Sequence, residues 1–193
     1  MEYRLTKTDL LNTLKAWSKF IKRKVHLIAC GGTAMTLLGI KASTKDIDFM
    51  VPDVKEYNYL IKVLADIGYK QIHQTRWQKA GELFEIDLYP GKKIHTTELL
   101  ESPLENGNHE FLQNVGRIYI GILNFYDLIS SKLFRGTSVD YEDCLMLAKA
   151  REAEINKDLL IKRYNELASY DIAEERIKRH LPIFLDRWDK GVS

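Results

Sequence analysis

Residues 25–33 read Val25-His26-Leu27-Ile28-Ala29-Cys30-Gly31-Gly32-Thr33, and after a spacer of thirteen residues beyond Gly32 the chain continues as Asp46-Ile47-Asp48-Phe49. An apolar run rich in β-branched residues that ends at two glycines predicts a buried strand followed by a tight turn. Residues 33–38 then predict a short helix. Because glycines leave the N–H groups of a helix N-terminus open to an anion, Gly31, Gly32 and Thr33 are predicted to bind a phosphate group.

The two aspartates lie in the next predicted strand, residues 46–51. Residues two apart in a strand project from one face, so the carboxylates of Asp46 and Asp48 point together while Ile47 and Phe49 enter the core. Two adjacent negative charges repel each other unless a cation lies between them. Mg²⁺ binds one or two protein carboxylates and completes its coordination with phosphates and water, so we expect Mg²⁺, with Mn²⁺ as the alternative ion.

A third carboxylate is expected because sites with two metal ions stabilise both the attacking and the leaving oxygen. The best candidate is Asp87, in the run Leu83-Phe84-Glu85-Ile86-Asp87-Leu88-Tyr89, whose alternation predicts a strand. Glu85 lies two residues earlier on the same face. Asp46, Asp48 and Asp87 are therefore the predicted metal ligands and catalytic carboxylates.

These motifs resemble the signature of the polymerase-beta-like nucleotidyltransferases: a hydrophobic residue, Gly-Gly or Gly-Ser, a spacer, then Asp-hydrophobic-Asp-hydrophobic. Cys30-Gly31-Gly32 and residues 46–49 supply each element. Gly-Gly-Thr-Ala, residues 43–48 and a later helix with lysine, arginine and aspartate resemble the AbiEii branch, which includes toxins of toxin–antitoxin pairs. The resemblance implies transfer of a nucleotide from a nucleoside triphosphate.

The later helix is predicted near residues 125–135, and a second helix follows it. Lys132 and Arg135 share one helical face, as do Asp140 and Asp143 on the second helix. The AbiEii resemblance implies that Lys132 and Asp143 complete the active site and that Lys132 and Arg135 bind the nucleotide. Lys132 would then offset the charge on the leaving pyrophosphate.

Each motif also has a structural interpretation. A glycine pair after a strand is often only a turn, and an Asp-x-Asp motif is often a solvated strand edge. Lys132 and Arg135 form, in this interpretation, a solvated helix face. Asp140 is then the capping-box partner of Thr137, and Asp143 is solvated.

The predicted fold class is α+β: a nucleotidyltransferase-like small mixed β-sheet with flanking helices in residues 1–122, then a C-terminal helical bundle in residues 123–193 that closes the nucleotide cleft. The predicted strands are residues 25–30, 46–51, 70–78, 83–89 and 117–122, with loops over residues 90–110. The predicted helices are residues 8–22, 32–38, 54–67, 125–135, 138–150, 156–168 and 172–188, the last kinked at Pro182.

The composition is that of a small enzyme with a core: 193 residues, of which 45% are hydrophobic and 29% charged, with a net charge of +2. The five histidines and two cysteines lack metal-ligand spacing, which argues against zinc. The sequence contains no signal peptide and no long apolar segment, so we expect a cytoplasmic protein with reduced thiols and no membrane partner.

The expected function is Mg²⁺-dependent transfer of a nucleoside monophosphate from a nucleoside triphosphate to a hydroxyl acceptor. The acceptor is left open among RNA or tRNA, a protein and a small molecule such as an aminoglycoside. The AbiEii resemblance adds a cognate antitoxin as a partner. The alternative function is that of a non-catalytic protein that uses the same fold to bind a nucleotide or a partner.

Overall fold

The computed structural model describes residues 3–191. The strands are β1 (Leu5–Thr6), β2 (Val25–Ala29), β3 (Ser43–Thr44), β4 (Ile47–Val51), β5 (Tyr69–Gln71), β6 (Arg76–Lys79), β7 (Ile86–Pro90), β8 (Lys93–Ile94), β9 (Thr97–Glu98), β10 (His109–Val115) and β11 (Ile118–Leu123). The helices are α1 (Lys7–Ser18), α2 (Gly31–Leu37), α3 (Val54–Asp66), α4 (Phe125–Arg135), α5 (Ser138–Ala150), α6 (Lys157–Ser169), α7 (Glu174–Lys178) and α8 (His180–Asp189). No helix within residues 3–191 is long and apolar enough to cross a membrane.

The chain forms two compact units. The first extends to Lys93 and includes Glu101–Leu123, and the second combines Ile94–Leu100 with the chain from Asn124 onward. Residues 94–100 therefore belong with the helical unit, although they precede the predicted boundary near residue 122. The predicted fold class, a mixed sheet with flanking helices followed by a helical bundle, is confirmed.

A seven-stranded mixed sheet forms the centre of the first unit, in the order β10-β11-β2-β4-β7-β6-β5. The pairs β11–β2 and β4–β7 are parallel, and the other neighbours are antiparallel. The central strands are buried on both faces and are accordingly apolar, as Leu27, Phe49, Ile86 and Ile120 illustrate. A shift of one residue would move every core side chain of a strand to the opposite face, where the packing partners are different, so the close packing of both faces fixes the register.

Local signals set the ends of the helices in the second unit. The Asn124 side chain accepts a hydrogen bond from the Asp127 N–H (2.9 Å) and starts α4, and Gly136, with φ of +67°, ends it. Thr137 and Asp140 form a capping box at the start of α5. The helices of this unit then bury a shared core that includes Phe134.

Several predicted elements differ from the structure. The segment predicted as one strand over residues 70–78 is a hairpin, because the chain reverses between β5 and β6. The strand predicted from residue 83 begins only at Ile86. The region predicted as loops, residues 90–110, contains the short strands β8 and β9 and the start of β10. The final helix breaks at Arg179 rather than at Pro182, since a proline in the first turn of α8 loses no intrahelical hydrogen bond.

Candidate active site

Two adjacent parallel strands position the aspartates. In the register between β4 and β7, Asp48 lies opposite Asp87. The Ile47 N–H donates to the Glu85 carbonyl oxygen (3.0 Å), which aligns Asp46, one residue before β4, with Glu85. Paired residues of neighbouring strands, about 4.8 Å apart, project from the same face. The structure therefore brings Asp46, Asp48 and Asp87 to one face of the sheet.

The glycine pair lies against this face because its missing side chains make room there. Gly31 begins α2 with φ of +54°, and a Cβ atom at this position would lie 2.8 Å from the Asp48 carboxylate oxygen Oδ2. A Cβ atom at Gly32 would collide with the hydroxyl of Thr44. Gly31 is thus required by its positive φ and by its packing against Asp48, and Gly32 is required by its packing against Thr44 of β3.

Thr33 fixes the backbone of the aspartate segment. Its fully buried hydroxyl donates to the Asp46 carbonyl oxygen (3.2 Å) and accepts from the Asp48 N–H (2.8 Å). The Thr44 hydroxyl donates to the same Asp46 oxygen (3.1 Å). The hydroxyl that the sequence assigned to phosphate binding is therefore bonded to the backbone at both aspartates, where it holds the carboxylates in place.

Asp87 is bound to an arginine that the sequence did not single out. The Nη2 atom of Arg76 donates to Oδ2 of Asp87 at 2.9 Å, and its Nε atom lies 3.4 and 3.3 Å from Oδ1 and Oδ2. The Thr75 hydroxyl donates to Oδ1 (3.1 Å), and Arg76 Nη1 pairs with Glu85 (2.8 Å). Arg76 lies opposite Asp87 in the β6–β7 register. The sequence did not indicate this pairing, because residues 70–78 were predicted as one strand and not as the hairpin β5–β6.

The electrostatics of the site follow from this arrangement. Burial raises the pKa of Asp46, and the negative charges of Glu85 and Asp87 raise it further. Arg76 and a hydrogen bond from the Glu85 backbone oppose that rise. The hydrogen bond to Asp87 raises the pKa of Arg76, so the guanidinium is a permanent positive charge within the acidic group.

The carboxylates on this face supply oxygen atoms, which are the ligands that Mg²⁺ binds. Within residues 3–191, no cluster of three or more His, Cys, Asp or Glu side chains has the spacing of a metal site. Asp46 and Asp48 are half-buried oxygen donors on one face, which fits an ion that completes its coordination with water and phosphate oxygens. Asp87 is 3% exposed, and both of its oxygens accept hydrogen bonds from Arg76.

The second unit contains the remaining predicted site residues. The Nζ atom of Lys132 lies 2.7 Å from Asp143 Oδ2, and the two side chains are 3% and 6% exposed. Arg135 pairs with Asp140, which also accepts a hydrogen bond from the Thr137 hydroxyl (2.8 Å). The capping role of Asp140 is confirmed, whereas the interpretation of Lys132 and Asp143 as solvated residues is wrong.

No protein-family model and no curated protein matches this chain. Among solved structures, the antibiotic-resistance factor ANT(2'')-Ia is similar with a TM-score of 0.60, at 15% identity over 91% of this chain and 100% of that chain. A nucleotidyltransferase-like protein from Paracoccidioides brasiliensis gives a TM-score of 0.49 at 13% identity, over 77% and 79% of the two chains. The similarity to ANT(2'')-Ia shows that this chain has a nucleotidyltransferase fold. The AbiEii branch stays a prediction.

Proposed function

We propose that this protein is a nucleotidyltransferase that transfers a nucleoside monophosphate from a nucleoside triphosphate to a hydroxyl acceptor. The observation that carries the proposal is the packing of the Gly31 turn against Asp48, with Asp87 opposite Asp48 on the adjacent strand. This arrangement puts a backbone that can approach phosphate next to carboxylates that can hold a cation. The nucleotidyltransferase fold supports the same chemistry.

Each residue of this site then has a defined task. The backbone at Gly31 and Gly32 binds the triphosphate, and Asp46 and Asp48 hold Mg²⁺ or Mn²⁺. Bound Mg²⁺ offsets the negative charge that develops on the phosphate oxygens. Thr33 keeps the two carboxylates in register by its hydrogen bonds to their backbone.

Asp87 positions and deprotonates the acceptor. The acceptor oxygen forms a bond to the α-phosphorus, the bond from that phosphorus to the pyrophosphate oxygen breaks, and the hydroxyl proton passes to Asp87. Within the helical unit, Lys132 is paired with Asp143. The catalytic role of Lys132 and Asp143 and the binding of the nucleotide by Lys132 and Arg135 stay predictions.

Two observations indicate which classes of acceptor should be screened. ANT(2'')-Ia is an antibiotic-resistance factor, so hydroxylated antibiotics such as aminoglycosides belong in the acceptor screen. The AbiEii resemblance adds a toxin role with a cognate antitoxin, and RNA or tRNA and a protein hydroxyl stay open as acceptors. Fold does not determine substrate, so the screen has to include all three acceptor classes.

The test begins with calorimetric titration of each of the four ribonucleoside triphosphates with Mg²⁺ into the wild type and an Asp46→Asn/Asp48→Asn variant. Binding that requires Mg²⁺ and is lost in the variant is expected. The preferred nucleotide, labelled at the α-phosphate, is then incubated with RNA, cellular protein and an aminoglycoside panel. Incorporation into one class identifies the acceptor, and absence of nucleotide binding by folded wild-type protein would reject the proposal.

A second function is favoured by one observation. Both oxygens of Asp87 accept hydrogen bonds from Arg76, and Oδ1 also accepts one from Thr75, so an acceptor hydroxyl has to compete with these donors for the carboxylate. A protein with this site could bind nucleotide without turnover and act as a sensor. Nucleotide binding without label incorporation into any acceptor class would support this function over catalysis.

A further inference from the structure

Arg76 lies among the acidic residues on one face of the central sheet. Its guanidinium contacts Glu85 through Nη1 and Asp87 through Nη2 and Nε, and its charge also acts on Asp46. The Asp87 side chain is 5% exposed, so its negative charge is poorly screened by water. The fork of five donors on a guanidinium matches the paired oxygens of a carboxylate and holds it in one orientation.

We infer that Arg76 takes the place of a second divalent cation, so that the site binds one ion at Asp46 and Asp48 while Asp87 is neutralised and positioned by the guanidinium. This inference rests on the proposed function and deepens it. A second ion held by Asp87 would lie next to a permanent positive charge, and the two would repel each other. It would also have to displace the hydrogen bonds that Arg76 makes to both carboxylate oxygens, from Nε to Oδ1 and from Nη2 to Oδ2.

The consequence for the reaction is a division of work between a metal ion and a protein cation. An ion held by Asp46 and Asp48 would offset the charge of the phosphates, and Arg76 would hold the carboxylate that receives the acceptor proton. Arg76 is a positioning residue in this scheme, since it acts through Asp87. Its effect is measurable in the metal stoichiometry as well as in activity.

The experiment counts bound Mn²⁺ by electron paramagnetic resonance in the full-length protein, without nucleotide. Two ions about 3.5–4 Å apart give a spin-coupled spectrum, whereas a single ion gives an isolated signal. We expect one isolated ion in the wild type and in Arg76→Lys, which retains the positive charge. Arg76→Gln removes the charge, and we expect it to bind a second ion and to show the coupled spectrum.

Lys79→Gln is the matched control, because Lys79 lies on the same strand but contacts the ring of Tyr69 instead of the acidic group. It is expected to bind one ion. Two coupled ions in the wild type, or a single ion in folded Arg76→Gln, would overturn the inference. Two ions, or no bound Mn²⁺, in the wild type would overturn the inference but leave the proposed function standing, because that function is rejected only when the folded protein fails to bind nucleotide with Mg²⁺.

Discussion

Replacing Lys132 with methionine tests the buried ion pair of the helical unit. The ammonium group of Lys132 lies 2.7 Å from the Asp143 carboxylate, and the two side chains are 3% and 6% exposed. Methionine has a similar length but no charge, so Lys132→Met leaves the Asp143 carboxylate buried without its cation. Removing one partner of a buried pair costs about 3–5 kcal/mol of the free energy of unfolding.

This loss is large enough to measure by calorimetry. For a chain of this size each kcal/mol lowers Tm by about 2–4 °C, so Lys132→Met should melt about 6–20 °C below the wild type. In the double variant Lys132→Met/Asp143→Leu no charge is left buried, and most of the lost stability should return.

An exposed pair supplies the control. Lys178 and Glu174 are an i,i+4 pair in α7 with side chains 40% and 36% exposed, and water screens such a pair. Lys178→Met should therefore cost less than about 1 kcal/mol. The reasoning is refuted if Lys132→Met melts as Lys178→Met does, because the pair would then not be desolvated as its burial indicates.

Three further outcomes are expected. Gly39 has a φ of +76° and open space around it, so Gly39→Ala should cost about 1–2 kcal/mol of the free energy of unfolding, measured in urea. Gly31→Ala should cost more, because its Cβ atom would also collide with Asp48. Equal losses in the two variants would contradict this contact. Burial raises the pKa of Asp46 above its usual 3.8 in the folded state, so the stability gained by protonation is present below that value and is lost as the pH rises through the folded pKa. Asp46→Asn should accordingly melt above the wild type at pH near 7, with a gap that narrows on acidification, and a gap independent of pH would be inconsistent with this shift. Asp48→Asn should abolish nucleotidyl transfer in the label assay while its Tm stays within a few degrees of the wild type, and normal transfer by this variant would remove Asp48 from the site.

The sequence predicted the elements whose signals are local. The apolar run before Gly31 and the alternation around Asp48 each fit within one strand, and the structure places β2 and β4 close to the predicted bounds. The cap of α4 and its terminal glycine are likewise read within a few residues. Strand pairing is not local, and for this reason β10, whose residues 109–115 are mostly half-buried or exposed, was missed.

The candidate site shows the same division between local and long-range information. Strand periodicity alone places Asp46 and Asp48 on one face. Asp87 was assigned to the same site because a two-metal site needs a third carboxylate and because the residues around Asp87 alternate as in a strand. The Thr33 hydroxyl bonds to the backbone of Asp46 and Asp48, which lie thirteen and fifteen residues later in the chain. No spacing rule predicts these hydrogen bonds. Arg76 is identified only by the register between β6 and β7.

The pairing of Arg76 with Asp87 changes what the aspartates imply. Three carboxylates on one face, taken alone, favour two metal ions, since each negative charge requires a nearby cation. In this chain one of the three already has a cation in Arg76, which is bound to Asp87 through both oxygens and to Glu85 as well. If Arg76 balances the charge of Asp87, an ion bound at this face belongs to Asp46 and Asp48, and the Mn²⁺ count tests this charge balance rather than the number of aspartates.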